Sequence, residues 1–118
     1  MIAYVFPGQG SQYVGMGQKI ASAFPVSKEV FSRASEALGW NISELCFEGP
    51  AERLNRTEFT QPAILTASIA VLSALQESVS RPPAYVAGHS LGEYTALVAS
   101  GGISLEEGVK LVARRGKL

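Results

Sequence analysis

Two short apolar runs, Ile2-Ala3-Tyr4-Val5-Phe6 and Ala84-Tyr85-Val86-Ala87, bracket a long stretch whose apolar spacing is helical. Strand length and β-branched or aromatic content make both runs strands, the second a buried one. Between them, residues from Gly17 to Phe24 and from Val26 to Leu38 read as helices. The second carries Val26, Val30, Phe31, Ala34 and Leu38 along one stripe, with Gly39 as its cap. Gly49-Pro50 punctuates shorter helical pieces around Ser43-Phe47 and Ala51-Asn55, which together read as a surface excursion. Thr60-Gln61-Pro62 opens a further helix whose body, from Ala63 to Leu75, is apolar nearly all the way round. That body falls short of the roughly 20 residues a bilayer requires, so it belongs inside a domain. Arg81-Pro82-Pro83 ends it and delivers an extended chain to the second strand.

After that strand the pattern turns helical again over Glu93–Ala99. Past Gly101-Gly102, Ser104-Leu105-Glu106-Glu107 is a capping box that starts a last amphipathic helix through Val109, Leu111, Val112 and Ala113. Strand, Gly-rich loop, helices, strand, sharp turn and helix make an α/β protein with a parallel sheet, active at the carboxyl ends of its strands. Two parallel strands cannot form the covered sheet such a fold needs, so the chain reads as a portion of something larger.

Length and charge narrow the function classes. The 118 residues carry ten basic and ten acidic side chains, with no Lys/Arg run longer than Arg114-Arg115, which excludes nucleic acid and an anionic membrane as evident partners. Cys46, the single cysteine, permits no intrachain disulfide and reads as an apolar filler in a reducing compartment. The N-terminus shows no secretory pattern, so the expected location is cytoplasmic. No metal-ligand spacing is present, and Gly8-Gln9-Gly10-Ser11-Gln12-Tyr13 lacks the third glycine of a dinucleotide fingerprint.

The chemistry concentrates at Gly88-His89-Ser90-Leu91-Gly92, a G-x-S-x-G pentapeptide between the second strand and an apolar helix. In such a nucleophile elbow the glycines relieve crowding around a strained serine, which is lifted clear of the sheet at a helix N-terminus. Ser90 is thus a candidate nucleophile for acyl transfer. The backbone N–H of Leu91 is one candidate oxyanion donor, and that of Gln9, on the Gly-rich loop after the first strand, is the other. A serine needs a base, and the one histidine, His89, precedes Ser90 and should point to the opposite face. The base therefore comes from outside these residues, or Ser90 is not activated in the usual way. Arg115, beside Gly116 at the end of the last helix, could clamp a carboxylate or serve only as a charge near a helix C-terminus.

Phe6-Pro7-Gly8-Gln9-Gly10-Ser11-Gln12, Thr60-Gln61-Pro62-Ala63, Gly88-His89-Ser90-Leu91-Gly92-Glu93 and Arg115-Gly116-Lys117, in this order, closely resemble the malonyl-CoA:acyl-carrier-protein transacylase family. The resemblance implies that residues 1–118 form the N-terminal part of an α/β-hydrolase-like acyltransferase core, without its small ferredoxin-like subdomain or its catalytic histidine. It implies a ping-pong reaction of fatty-acid biosynthesis in a monomeric enzyme, with malonyl passing from coenzyme A to Ser90 and then to acyl carrier protein. Coenzyme A enters as part of a substrate, and no cofactor is implied. Carried over by position, Ser90 is the nucleophile, Gln9 and Leu91 form the oxyanion hole, Arg115 binds the malonyl carboxylate, and Gln61 supports the site. The same residues would serve an acyltransferase module of a polyketide or fatty-acid synthase, or a binding domain that keeps the fold without the chemistry. On this reading the chain alone is inactive or nearly so.

Overall fold

The computed structural model describes residues 2–79, 83 and 85–118. In chain order the elements are β1 (Ala3–Phe6), α1 (Gln18–Ala23), α2 (Pro25–Leu38), α3 (Ile42–Glu48), α4 (Ala51–Leu54), α5 (Thr57–Ser78), β2 (Tyr85–Gly88), α6 (Leu91–Ala99) and α7 (Leu105–Gly116). β1 and β2 pair in parallel, Ala3 opposite Tyr85 and Phe6 opposite Gly88, so both carboxyl ends finish level. The expected break at Arg81-Pro82 and the first strand residue expected, Ala84, lie outside the described residues.

The register explains why β2 is not the buried strand its composition suggested. Side chains alternate across a sheet. Tyr4, Phe6 and Val86 face the helices and join the core, whereas Val5 and Tyr85 stand in solvent, 75% and 64% exposed. Helices cover one face of this two-stranded sheet, and the other is open.

α5 is the hub, packed against α2, α6 and α7. It begins at Thr57, one turn before the expected start, so Pro62 lies within the helix rather than opening it. Lacking an N–H, Pro62 leaves the Glu58 carbonyl without its helical donor, a loss confined to one early turn. α5 runs 22 residues and holds an 18-residue window of mean hydropathy 1.3, long and apolar enough to cross a membrane, so the shortness expected of it does not hold. Burial decides the matter instead: Ala63, Ile64, Leu65, Ala70 and Ala74 are enclosed by protein. An apolar stripe stays open, with Val71 and Leu75 48% and 41% exposed, beside a groove of about 430 Å³ shared with β1.

α3 and α4 are not a surface excursion, because Ile42, Leu45, Cys46 and Leu54 are all fully enclosed. Asn41 caps α3 by accepting the Glu44 N–H at 3.1 Å, which lets this short helix hold its apolar face inward. Burial pushes the Cys46 thiol up to about 12.

α7 starts with the expected capping box: Ser104 Oγ accepts the Glu107 N–H at 3.0 Å, and the Glu107 carboxylate accepts the Ser104 N–H at 3.1 Å. Its buried stripe is Leu105, Gly108, Val109 and Val112, while Leu111 turns outward, 46% exposed. Arg33 on α2 donates twice to Glu106, both contacts at 2.8 Å, and ties α2 to the start of α7.

Candidate active site

Phe6 ends β1 and Gly88 ends β2 in the same register, so the two loops that follow emerge side by side. The turn after β2 is held against the β1 end by a hydrogen bond from the His89 N–H to the Phe6 carbonyl. Ser90 caps α6 with φ 56° and ψ −107°, the one positive φ among the described non-glycine residues. A side chain in that region is strained and persists only where its surroundings impose it.

The surroundings are two glycines that permit extreme closeness. A Cβ on Gly88 would fall 1.9 Å from the Gly92 carbonyl group, and one on Gly92 would fall 2.3 Å from the Phe6 carbonyl oxygen. Backbone blocks the way in both cases, so no side-chain adjustment could admit a methyl group. The elbow expected from the pentapeptide is thereby formed, with Ser90 exposed at its tip.

The loop after β1 rests on the other side of this turn. Gly8 abuts the His89 carbonyl, and the His89 ring lies beside Gly8. Gln9 Nε2 donates to Thr57 Oγ1 at 3.2 Å, and Gln12 Nε2 donates to Asn55 Oδ1 at 2.8 Å, which pins the loop to the α4–α5 junction. Gln12 Oε1 also accepts the Gly10 N–H at 2.8 Å. Among the described residues, the backbone N–H groups of Gln9 and Leu91 donate to no protein acceptor.

Arg115 completes the cluster from α7. Its Nη2 donates to Ser90 Oγ at 3.1 Å and its Nη1 to Gln61 Oε1 at 3.3 Å. Gln61 is 6% exposed, so its amide is a fixed support rather than a mobile surface group. Gly116 is what lets α7 end there: a Cβ at that position would come within 2.6 Å of the Thr57 carbonyl oxygen and 2.7 Å of the Glu58 Cα. The guanidinium also lies 5.2 Å from the ring centroid of Tyr94.

Ser90, Gln61 and Arg115 therefore meet in one cluster, with Leu91 and the Gln9 loop flanking it. Sequence reasoning missed Tyr94, although four residues from Ser90 on a helix is one turn along the same face. It also missed Thr57 and Asn55, for which no local pattern gives a signal. The arrangement presents a hydroxyl and a cation to one small region, which suits a substrate with a polarisable carbonyl next to an anion. Among the described residues, no group of His, Cys, Asp or Glu side chains is placed to hold a metal ion.

Over residues 3–118 the chain matches the family described as the acyl transferase domain. It is 52% identical over 115 residues to the malonyl CoA-acyl carrier protein transacylase of Escherichia coli K12, covering 98% of this chain and 37% of that protein. The solved malonyl CoA-acyl carrier protein transacylase from Clostridium perfringens aligns with a TM-score of 0.93 at 52% identity, over 98% of this chain and 36% of that one. A malonyl-transacylase solved in complex with its type II acyl-carrier protein aligns with a TM-score of 0.93 at 49% identity, over 98% and 38%. The chain thus spans a little more than a third of the length of these relatives.

Proposed function

This chain belongs to the acyl transferase domain family, and we propose that it carries the nucleophile and the acid-binding arginine of a malonyl transfer from coenzyme A to acyl carrier protein. The observation that carries the reading is the 3.1 Å contact between the Arg115 guanidinium and the Oγ of a strained, exposed Ser90.

Ser90 Oγ attacks the thioester carbonyl carbon and forms the C–O bond, while the carbonyl π pair moves onto oxygen. The N–H groups of Gln9 and Leu91, unclaimed by protein acceptors, receive that charge, and the N-terminus of α6 adds its dipole. Collapse breaks the C–S bond and leaves malonyl as an ester on Ser90. The coenzyme A sulfur departs with the proton that the hydroxyl lost. The phosphopantetheine thiol of acyl carrier protein then attacks the ester, and the same steps run in reverse.

Arg115 selects the acyl group. A guanidinium within hydrogen-bond reach of the nucleophile leaves room only for a carboxylate close to the reacting carbonyl, as in a malonyl group, and its planar fork grips both oxygens. Holding the acid also shapes the site for transfer rather than hydrolysis, since a filled cleft keeps water from the ester. The proton shuttle is not His89, whose ring is turned to Gly8. Because His89 is the sole histidine of the 118 residues, a base from beyond them performs that step.

The test is acylation of Ser90 by malonyl-CoA compared with acetyl-CoA, with imidazole supplied as the base and the adduct counted by intact mass. Two charge-assisted hydrogen bonds at about 1.5–3 kcal/mol each put the loss on Arg115→Ala at roughly a hundredfold or more for malonyl-CoA. Acetyl-CoA, which has no carboxylate, should lose far less. Equal losses for both thioesters would refute the role of Arg115.

A further inference from the structure

We infer that Tyr94 is a positioning residue for Arg115, a platform that fixes the guanidinium at the distance from Ser90 at which a short acid is held. The inference rests on the proposed role of Arg115 and adds to it the residue that aims the cation.

Three contacts surround the guanidinium. Gln61 Oε1 accepts from Nη1, Ser90 Oγ accepts from Nη2, and the Tyr94 ring lies 5.2 Å from Cζ, inside the range at which a cation is attracted to an aromatic face. A guanidinium has five N–H donors, so two bonds leave three free for an incoming carboxylate. The ring takes no donor. It holds the cation through its face while leaving the fork open, which neither a carboxylate nor a carbonyl partner could do.

Placement on the chain strengthens the point. Ser90 and Tyr94 belong to one rigid element, the N-cap of α6 and a residue of its second turn, and Tyr94 packs partly buried against the core. Arg115 arrives from α7 on a long flexible arm, and its reach alone would not set the spacing between cation and nucleophile. The platform transfers that spacing to α6, so the helix that presents the hydroxyl also gauges where the acid sits. Tyr94 makes no side-chain hydrogen bond among the described residues, so its ring face, not its hydroxyl, is the part in use.

The experiment uses the chain itself, with malonate as the probe and titration followed by NMR of the arginine side-chain N–H groups. In the unaltered chain the Arg115 Nε–H resonance lies upfield of that of Arg114, because it sits over a ring. Tyr94→Phe keeps both that shift and the malonate affinity within about twofold. Tyr94→Leu removes the shift and weakens malonate roughly five- to thirtyfold. Arg115→Met abolishes malonate binding and separates the two readings. If Arg115→Met binds malonate normally, the acid-binding role itself falls and takes this inference with it. If Arg115→Met loses binding while Tyr94→Leu retains it, only the platform is overturned. Should Tyr94→Leu fail to fold, the ring shift in the unaltered chain and in Tyr94→Phe decides: an Arg115 resonance indistinguishable from Arg114 overturns the inference.

Discussion

Replacing Ser90 by glycine should make the fold more stable than replacing it by alanine, the reverse of the order the two residues take inside a helix. With φ 56° and ψ −107°, position 90 sits where any Cβ is strained, at a cost of order 1–3 kcal/mol. Both substitutions remove the hydroxyl and with it the hydrogen bond from Arg115, so that loss cancels in the comparison. What remains is the relief of strain in glycine, set against about 0.4–1 kcal/mol for the greater freedom of glycine in the unfolded chain. The balance favours Ser90→Gly over Ser90→Ala by about 0.5–2 kcal/mol. For a domain of this size that is a difference in Tm of a few degrees, at roughly 4 °C per kcal/mol. Urea unfolding followed by far-UV circular dichroism, with thermal melts alongside, reads it directly. Equal m-values would establish that the two variants share a native and an unfolded state. An alanine variant as stable as the glycine variant would show that the elbow holds no strain, and the geometric reason for its serine would fail.

Three further outcomes follow from the packing and the charges. Gly92→Ala places a Cβ 2.3 Å from the Phe6 carbonyl oxygen, more than 1 Å inside an ordinary contact, so the elbow must open. It should cost about 1–3 kcal/mol in urea unfolding, and a neutral result would mean that the turn is not closed on β1. The Cys46 thiol, pushed up to about 12 by burial, should react with a disulfide reagent at pH 8 only as fast as the chain opens; labelling at the rate of a free thiol would contradict its enclosure. The hydrogen bonds from Arg33 hold the Glu106 carboxyl below its ordinary value of about 4.3. A lowered carboxylate stabilises above its unfolded value and loses that contribution as pH falls through the folded one, so Glu106→Gln should weaken the fold more at pH 7 than at pH 3. Both partners are well exposed, which limits the effect to under about 1 kcal/mol, and urea midpoints at the two pH values check it.

The residues whose roles are enforced by near neighbours were legible in the sequence. Gly88, Ser90 and Gly92 define their turn within five positions, and Ser104 with Glu107 defines a helix start within four. Cys46 was read correctly because an isolated cysteine in an apolar stretch has few other uses. Features that depend on how distant elements cross were not legible from pattern alone. Arg115 reaches Ser90 because Gly116 lets α7 end against the first turn of α5, and no periodicity announces that approach. Only the resemblance to a family gave Arg115 and Gln61 their places. Pro62 misled the placement of the α5 start, since proline is commonest at the first helical position and here sits inside the helix. Gly49-Pro50 misled in the same way, marking a surface excursion where α3 and α4 contribute Ile42 and Leu54 to the core.

The central claim is that the Ser90 hydroxyl is the atom acylated, and the most direct measurement is to map the adduct. The chain is incubated with malonyl-CoA, with and without imidazole, digested, and sequenced by tandem mass spectrometry. The account predicts a malonyl ester on Ser90 that forms slowly alone, forms much faster with imidazole, and is absent from Ser90→Ala. An ester on any other residue, or labelling undiminished in Ser90→Ala, would contradict it.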